Sequence, residues 1–457
     1  MERTKHTFKK IASALIILLM LLSLYSFVED EPIASKDDIK ESMSEDLSSE
    51  DRLNYDYASD YLKRWGITGY DTAKMKWAER LLSLYYNYEG GLPETREHAK
   101  LCAEAFLLEY YDAIDLQNKD ELTDALLTCY AFAVDDPYTV YRAAEESSDY
   151  STDMSGKFGG IGVIIEYDHE KQTLMVSSVY IDSPAEAAGI QVGDYIIGVN
   201  GHSTEELGYL NVVYEVRGEI GTPVTLTLLR GDKTVECTAI RAEVEEKTVE
   251  FSAEDGIGYV RITDFKDNTF RQFVEAIDAL TALKVEGIVF DLRGNPGGYL
   301  DTVCDMVSYL IPTGKTLVSY SYKNSKPEVI LSEDDVHPIT GEVADHVLEL
   351  PVTVICNEYT ASAGEIFTAS VRDYRNEGLL NAKIVGKTTY KKGVMQSGFV
   401  YSDGASITFT VAYYNPPCGE NYHGIGVEPD ITVENTETED LQLKTAIAEL
   451  KKLVNSN

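Results

Sequence analysis

Twice in the second half of the chain, a short run of strand-forming apolar residues stops at a cluster of small residues and leads into a helical pattern. The first case reads Val289-Phe-Asp-Leu-Arg-Gly-Asn-Pro-Gly-Gly298, the second Val354-Ile-Cys-Asn-Glu-Tyr-Thr-Ala-Ser-Ala-Gly-Glu365. Strand–turn–helix units of this kind build α/β domains, and the alternation runs over residues 250–435. Strands are expected at Ile257–Phe265, Gly287–Leu292, Thr316–Tyr322, Val352–Cys356, Lys383–Val385, Gly398–Tyr401 and Ser406–Ala412. Helices are expected at Thr269–Leu283, Leu300–Leu310 and Ser362–Asn376.

With 457 residues the chain is too long for one small core, and its pattern changes along its length. Lys5, Lys9 and Lys10 precede an apolar run from Ile11 to Val28. Residues 1–28 therefore read as an export segment, either an uncleaved membrane anchor or a cleaved signal peptide. The basic flank stays cytoplasmic and the rest lies outside: a single-pass membrane protein, or a secreted one if the signal is removed. Residues 29–54 are an acidic, Ser-rich linker. Residues 55–150 are helical, with apolar spacing as in Leu101, Ala105, Leu108 and Tyr111. Residues 155–245 are β-rich, with a short helix starting at Ser183-Pro184 and a turn at Asn200-Gly201. Residues 436–457 are a C-terminal amphipathic helix. The whole is multidomain α+β.

The composition excludes some functions. Forty Lys and Arg face 77 Asp and Glu, a net charge of −37, which repels nucleic acid. The six cysteines are scattered without a C-x-x-C pair; a Cys102–Cys129 bridge stays open, because both lie in the helical segment. No H-E-x-x-H pattern occurs, and no metal or cofactor is expected. None of the seven histidines has the setting of a Ser–His–Asp base.

Three segments carry chemistry. Ser362 stands where a strand gives way to a helix, near backbone N–H groups at the positive helix end. It reads as a nucleophile with Ala363 N–H as an oxyanion donor, or, more blandly, as a helix cap along with Thr360. The turn Gly294–Gly298 lets the backbone approach a ligand, and Gly297 or its neighbour Gly298 could supply a second donor. Thr388-Thr-Tyr-Lys-Lys-Gly-Val-Met-Gln396 holds two adjacent lysines. Either lysine, held near a serine in apolar surroundings, could lose its proton and act as a base; a solvated pair is the alternative.

In this order the three segments resemble the C-terminal processing peptidases, or tail-specific proteases, whose pattern runs D-L-R-x-N-P-G-G, S-A-S-A-x-E, F-G-K-G-x-x-Q. Asp136-Pro137-Tyr138-Thr139 is similar to the D-P-Y-S that precedes that family's PDZ domain. Phe158-Gly-Gly-Ile-Gly-Val163, Ser183–Ile190 and Gly193–Gly201 resemble its PDZ motifs, and His423–Asp430 its closing motif. The resemblance implies a PDZ-like domain and an α/β catalytic domain of ClpP/crotonase-like fold. It implies a serine endopeptidase acting through an acyl-enzyme, with Ser362 as nucleophile, Lys392 as base and Gln396 orienting the lysine. Ala363 and Gly297 would be the oxyanion donors. Phe158, Gly159, Gly160, Ile161, Gly162 and Val163 would bind apolar substrate C-termini. Homodimerisation through the helical segments is left open by the resemblance. The chain departs from the pattern at Tyr390-Lys391, which makes Lys391 a rival base, and the thirty-position interval from Ser362 to Lys392 is long, through residues 376–381. A catalytically inactive PDZ scaffold holding C-terminal tails is the alternative reading. A small-molecule acyl hydrolase is disfavoured, because a PDZ unit reads peptide ends.

Overall fold

The computed structural model describes residues 67–456 and Lys63, apart from 90, 94, 169, 170, 324, 334, 345 and 346. The export segment and the acidic linker lie outside the described residues, among which no helix is long and apolar enough to cross a membrane. The chain forms two compact units. One is Ser151–Lys247; the other joins the residues before it to Thr248–Asn457.

The larger unit is organised by a six-stranded sheet. Its order is Val249–Glu254, Ile257–Ile262, Gly287–Asp291, Val352–Cys356, Ala382–Gly386 and Ile431–Thr432. The first pair is antiparallel and the rest are parallel. Every residue of Gly287–Asp291 and Val352–Cys356 is buried, as expected of parallel strands covered on both faces. Alternate side chains point to opposite faces. Ile288, Phe290, Val354 and Ile384 enter the main core with the helices Thr269–Ala282 and Ala363–Asn376. Val289, Ile355 and Val385 face the other way, where Ala446 and Leu450 of the C-terminal helix Leu441–Ser456 cover them. The helix lies so close that a side chain at Gly287 would come within 2.9 Å of Leu450 Cδ1.

A second, antiparallel sheet runs Val140–Arg142, Ser406–Asn415, Thr316–Tyr322, Glu328–Leu331, with Val394–Val400 also paired to Ser406–Asn415. The Val394–Val400 strand begins earlier than the expected Gly398. Its register shifts between Met395 and Gln396, and such a bulge disturbs the two-residue alternation by which a strand is recognised.

Of the segment 55–150, expected as a helical domain of its own, the described residues are part of this larger unit. Its helices Thr72–Tyr85, Thr95–Glu109 and Lys119–Phe132 are capped in part by Asp71 and Asn118. Leu82, Phe106 and Leu126 share one continuous core with Phe273, Phe290 and Phe409. The segment also contributes the strand Val140–Arg142, where residues 55–150 had been read as helical. Three residues are too few to carry a strand period, and cross-strand pairing decides the matter. Cys102 and Cys129 are buried but both free, so the bridge left open above is absent. The Cys102 thiol points at the Leu126 carbonyl instead.

The smaller unit is built on a six-stranded antiparallel sheet, ordered Val163–Asp168, Thr173–Val179, Tyr195–Val199, Pro223–Arg230, Lys233–Ile240, with His202–Ser203 as the sixth strand, paired to Tyr195–Val199. A separate ribbon pairs Lys157–Gly160 with Ala242–Glu245. Its core comprises Ile161, Val176, Ile196, Leu226 and Leu228 among others.

Because Leu450 is wholly buried against the parallel sheet, Leu450→Ala should lower unfolding free energy by about 2–5 kcal/mol. Leu450→Met should cost under about 1.5 kcal/mol. Chemical denaturation checks this; equal stability of all three proteins would mean that the C-terminal helix is not a layer of the fold.

Candidate active site

The two strand-end turns singled out in the sequence lie side by side. Thr360 Oγ1 donates to Leu292 O at 2.8 Å, Asn357 Oδ1 accepts from Gly294 N, and Ala361 N donates to Asn295 O. Asn295 is fully buried. Its side chain donates to Ile262 O and accepts the Gly297 N–H at 2.8 Å. A side chain on Gly297 would sit 2.7 Å from Ser362 Cβ, and one on Gly298 would sit 2.1 Å from Phe265 O. Both glycines also have positive φ, 113° and 140°. Only glycine fits either position.

Ser362 is buried, with φ 51° and ψ −118°, immediately before the Ala363–Asn376 helix. Few non-glycine residues adopt that backbone, and strain of this kind clusters at functional sites. Two features of the turn hold it. The Ser362 carbonyl accepts the Glu365 N–H, and the Glu365 carboxylate reaches back to the Ser362 N–H at 3.0 Å, the reach-back half of a capping box. The Tyr414 phenol donates to Lys392 O at 2.6 Å and accepts from Tyr422.

Glu365 is wholly buried and ties the serine turn to the lysine segment. Its Oε2 accepts from Ser362 N and from Lys392 N at 2.8 Å. Its Oε1 accepts from Lys391 N at 2.7 Å and from Thr389 Oγ1 at 2.5 Å. Since two amides share one oxygen, the Ser362 and Lys392 backbones are brought together. Burial pushes the Glu365 carboxyl up from its usual range, and the four hydrogen bonds pull against that.

Of the adjacent lysines, Lys391 is exposed and Lys392 is buried. The Lys392 Nζ lies 4.5 Å from the centre of the Tyr138 ring. Burial brings its pKa down to about 7, against the opposing pull of Asp136 and Glu365. Gln396 is buried on the Val394–Val400 strand and donates through Nε2 to Thr410 Oγ1 at 3.0 Å. A cleft of about 420 Å³ opens here, lined by Thr263, Arg293, Gly294, Pro296, Ala361, Tyr390 and Lys392.

Two backbone N–H groups border the serine. Ala363 is the first residue of its helix, where amides have no partner within the helix. Gly297, expected as the second donor, already gives its N–H to Asn295. The neighbouring Gly298 amide has no hydrogen-bond partner among the described residues. His423, the histidine of the closing motif, accepts the Gly393 N–H through Nδ1 at 3.2 Å and packs edge-on against Tyr88 and Tyr413.

Glu365, Asp136, Thr410 and Tyr414 were given no role in the sequence. For Glu365 a signal existed, the Ser-x-x-Glu spacing at a helix start. Thr410 and Tyr414 lie within a strand that has no local feature to mark them.

In the smaller unit, Phe158, Gly159 and Gly160 lie in the short ribbon, Gly162 turns with φ +78°, and Val163 opens a strand at the rim of the sheet. Ile161 faces inward and belongs to the core. The glycines meet close neighbours: a side chain at Gly159 would lie 2.0 Å from Gly218 O, and one at Gly162 would lie 2.5 Å from Ser183 Cβ. Phe158 packs under the Arg217 guanidinium, 4.1 Å from the ring centre.

Residues 256–433 match the model of peptidase family S41, and residues 175–230 match a PDZ domain. A "Probable CtpA-like serine protease" of Staphylococcus haemolyticus is 31% identical over 362 residues, which is 79% of this chain and 70% of the relative. The chain belongs to peptidase family S41. A protein of the same description from Staphylococcus epidermidis is 33% identical over 327 residues, 72% of this chain and 64% of that one. A solved structure from Bacteroides fragilis, described as an S41 protease, has a TM-score of 0.51 at 17% identity, covering 83% of this chain and 97% of the other; it is a likeness of fold. This S41 serine peptidase thus combines a peptidase domain with a PDZ domain.

Both Glu365 oxygens accept two donors each, so the carboxylate has no place for a proton or an amide. Glu365→Gln would set an NH₂ against two N–H groups. The variant should lose about 3–5 kcal/mol of stability and at least roughly 100-fold in kcat. Thermal melts and peptide turnover read the two effects, and a wild-type-like Glu365→Gln would show that the carboxylate does not organise the site.

Proposed function

We propose that this S41 peptidase cleaves polypeptides with a Ser362–Lys392 dyad. The observation that carries the reading is the burial of Lys392, whose backbone N–H shares a Glu365 oxygen with that of the strained Ser362 turn. A lysine with a pKa near 7 is a neutral base for an appreciable fraction of molecules at physiological pH. Lys392 Nζ takes the Ser362 Oγ proton as the oxygen attacks the substrate carbonyl carbon. The resulting oxyanion is received by the N–H groups of Ala363 and Gly298. The Lys392 ammonium returns the proton to the leaving amine nitrogen as the C–N bond breaks, leaving an acyl-enzyme on Ser362. Water then attacks the ester, gives its proton to Lys392, and the carboxylate product departs as Ser362 Oγ is reprotonated. Gln396 orients the lysine.

The reading extends to the PDZ domain. Among the described residues Val163–Asp168 pairs only with Thr173–Val179, so a substrate C-terminus could add beside it as a further strand, with its carboxylate at the Gly159–Val163 turn. Because Ile161 is core, the pocket for an apolar final side chain falls to Phe158 and Val163. Residues 1–28 would anchor or export the chain, with its peptidase outside the cytoplasm.

On a peptide substrate, kcat/KM should rise with pH through about 7, as the lysine loses its proton. Ser362→Ala and Lys392→Ala should each lose roughly 10⁴-fold or more, while Lys391→Ala keeps most activity. Equal cleavage of an unfolded protein by Ser362→Ala and wild type would refute the dyad and favour an inactive PDZ scaffold. A dead Lys391→Ala beside an active Lys392→Ala would move the base by one residue.

Two peptides alike except for their ends test the PDZ reading. One with a free apolar C-terminus should be cut several-fold faster than its amide. Equal kcat/KM for the pair would remove the domain from substrate selection.

A further inference from the structure

We propose that Tyr138 is a positioning residue: the face of its ring holds the Lys392 amine in place and favours the ammonium that forms as Ser362 gives up its proton. The inference rests on the Ser362–Lys392 reading and assigns a function to a side chain that the steps above leave unused.

The Lys392 backbone is tied down. Glu365 Oε2 accepts the Lys392 N–H, and the Tyr414 phenol donates to the Lys392 carbonyl. One residue on, His423 Nδ1 accepts the Gly393 N–H, and Asn421 Nδ2 donates to the Gly393 carbonyl at 2.9 Å. These contacts fix the start of the side chain, but the amine stands at the end of a flexible four-carbon stem. The Tyr138 ring meets that end. Lys392 is buried, and its Nζ lies over the ring, 4.5 Å from the centre, within the range at which an aromatic face attracts a cation.

The ring is itself held. Asp136 Oδ1 accepts the Tyr138 N–H at 2.9 Å, Oδ2 accepts the Thr139 hydroxyl at 2.8 Å, and the Asp136 carbonyl accepts the Thr139 N–H. The chain then enters the strand Val140–Arg142, paired to Ser406–Asn415. Tyr88 meets the Tyr138 ring edge-on, with centres 6.0 Å apart, and also packs edge-on against His423. A chain of contacts thus runs from Tyr138 through Tyr88 and His423 to Gly393, the residue after the lysine. Burial pushes the Tyr138 phenol above its usual range, so the amine meets a neutral ring and not a phenolate.

A ring face distinguishes the two forms of the base. Its quadrupole attracts the ammonium far more than the neutral amine, and the attraction is larger where water is excluded. The ring therefore favours the protonated lysine, in the same sense as the charges of Asp136 and Glu365 and against burial. Tyr414 on the lysine carbonyl and His423 on the next amide are the other titratable groups of the surrounding segments. Arg261, Asp264, Arg293, Tyr359 and Tyr390 line the same cleft. Replacing the Tyr138 ring by an aliphatic side chain alters no charge among them. It lowers the Lys392 pKa, so the acidic limb of kcat/KM moves to lower pH, and the weaker base slows proton transfer on the plateau.

The test uses the full chain and a chromogenic peptide. It compares wild type with Tyr138→Phe, Tyr138→Leu and Tyr138→trifluorophenylalanine, a ring close to phenylalanine in shape whose fluorines draw charge from its face. Tyr138→Phe should retain most of kcat, with the acidic limb in place. Tyr138→Leu should move the limb down by about 0.4 to 1.5 pH units and lower the plateau kcat roughly 2- to 30-fold, with little change in KM. Tyr138→trifluorophenylalanine should behave like Tyr138→Leu although it fills the space of a ring. If Tyr138→Leu fails to fold, the two aromatic variants still decide: equal limbs and rates in both mean that packing alone matters, and overturn the proposal. An unshifted limb in a folded Tyr138→Leu overturns it too. So does a Tyr138→Phe as impaired as Tyr138→Leu, which would assign the effect to the hydroxyl. Ser362→Ala and Lys392→Ala are assayed alongside. Wild-type rates from either sink the dyad, and this inference with it, whereas two inactive controls beside an unshifted Tyr138→Leu overturn this inference alone.

Discussion

One buried carboxylate holds the site together. Glu365 accepts from the backbone on either side of the chemistry, at Ser362 N and Lys392 N, and from Lys391 N and Thr389 Oγ1. A buried charge is tolerated only when it is well satisfied, and here its partners are the main chain of two segments far apart in sequence. Any drift of the lysine segment from the serine turn would leave a charge unsatisfied in a dry interior. The relative placement of the Ser362 turn and the Lys392 segment is thus coupled to the stability of the fold.

The parallel sheet determines where that carboxylate can act. Gly287–Asp291 and Val352–Cys356 are buried on both faces, so polar groups gather at the strand ends, where helices start and amides are left over. Asp291, fully buried, is paired by Arg293, whose guanidinium also reaches Asp440 just before the C-terminal helix. The helix that covers one face of the sheet is therefore fastened to the turn that borders the serine. Its packing and the glycine turn belong to one structural unit.

The smaller unit shows how a motif can have two causes. Gly159 and Gly162 are required by the close approach of Gly218 and Ser183, and Ile161 fills the core. Those demands belong to the fold. Beside them runs the rim strand Val163–Asp168, at the end of the sheet order.

The sequence by itself determined the α/β alternation, the glycines of the Gly294–Gly298 turn, Ser362 at a helix start, and the ordered motifs that identify an S41 peptidase with a PDZ domain. These are local facts: strand-length apolar runs, turn residues and caps depend on neighbours a few positions away. It also placed the C-terminal helix correctly, because an amphipathic stripe declares that it must cover something. It did not choose between Lys391 and Lys392 by anything but resemblance, since burial of one side chain and exposure of the next depends on what packs around them. It did not separate Gly297 from Gly298 as a donor, because that turned on Asn295 capturing the first amide. Nor could it merge the helices before residue 150 with the peptidase core or see the short strand Val140–Arg142. Those contacts join residues hundreds of positions apart, and only the closed core brings them within hydrogen-bonding distance.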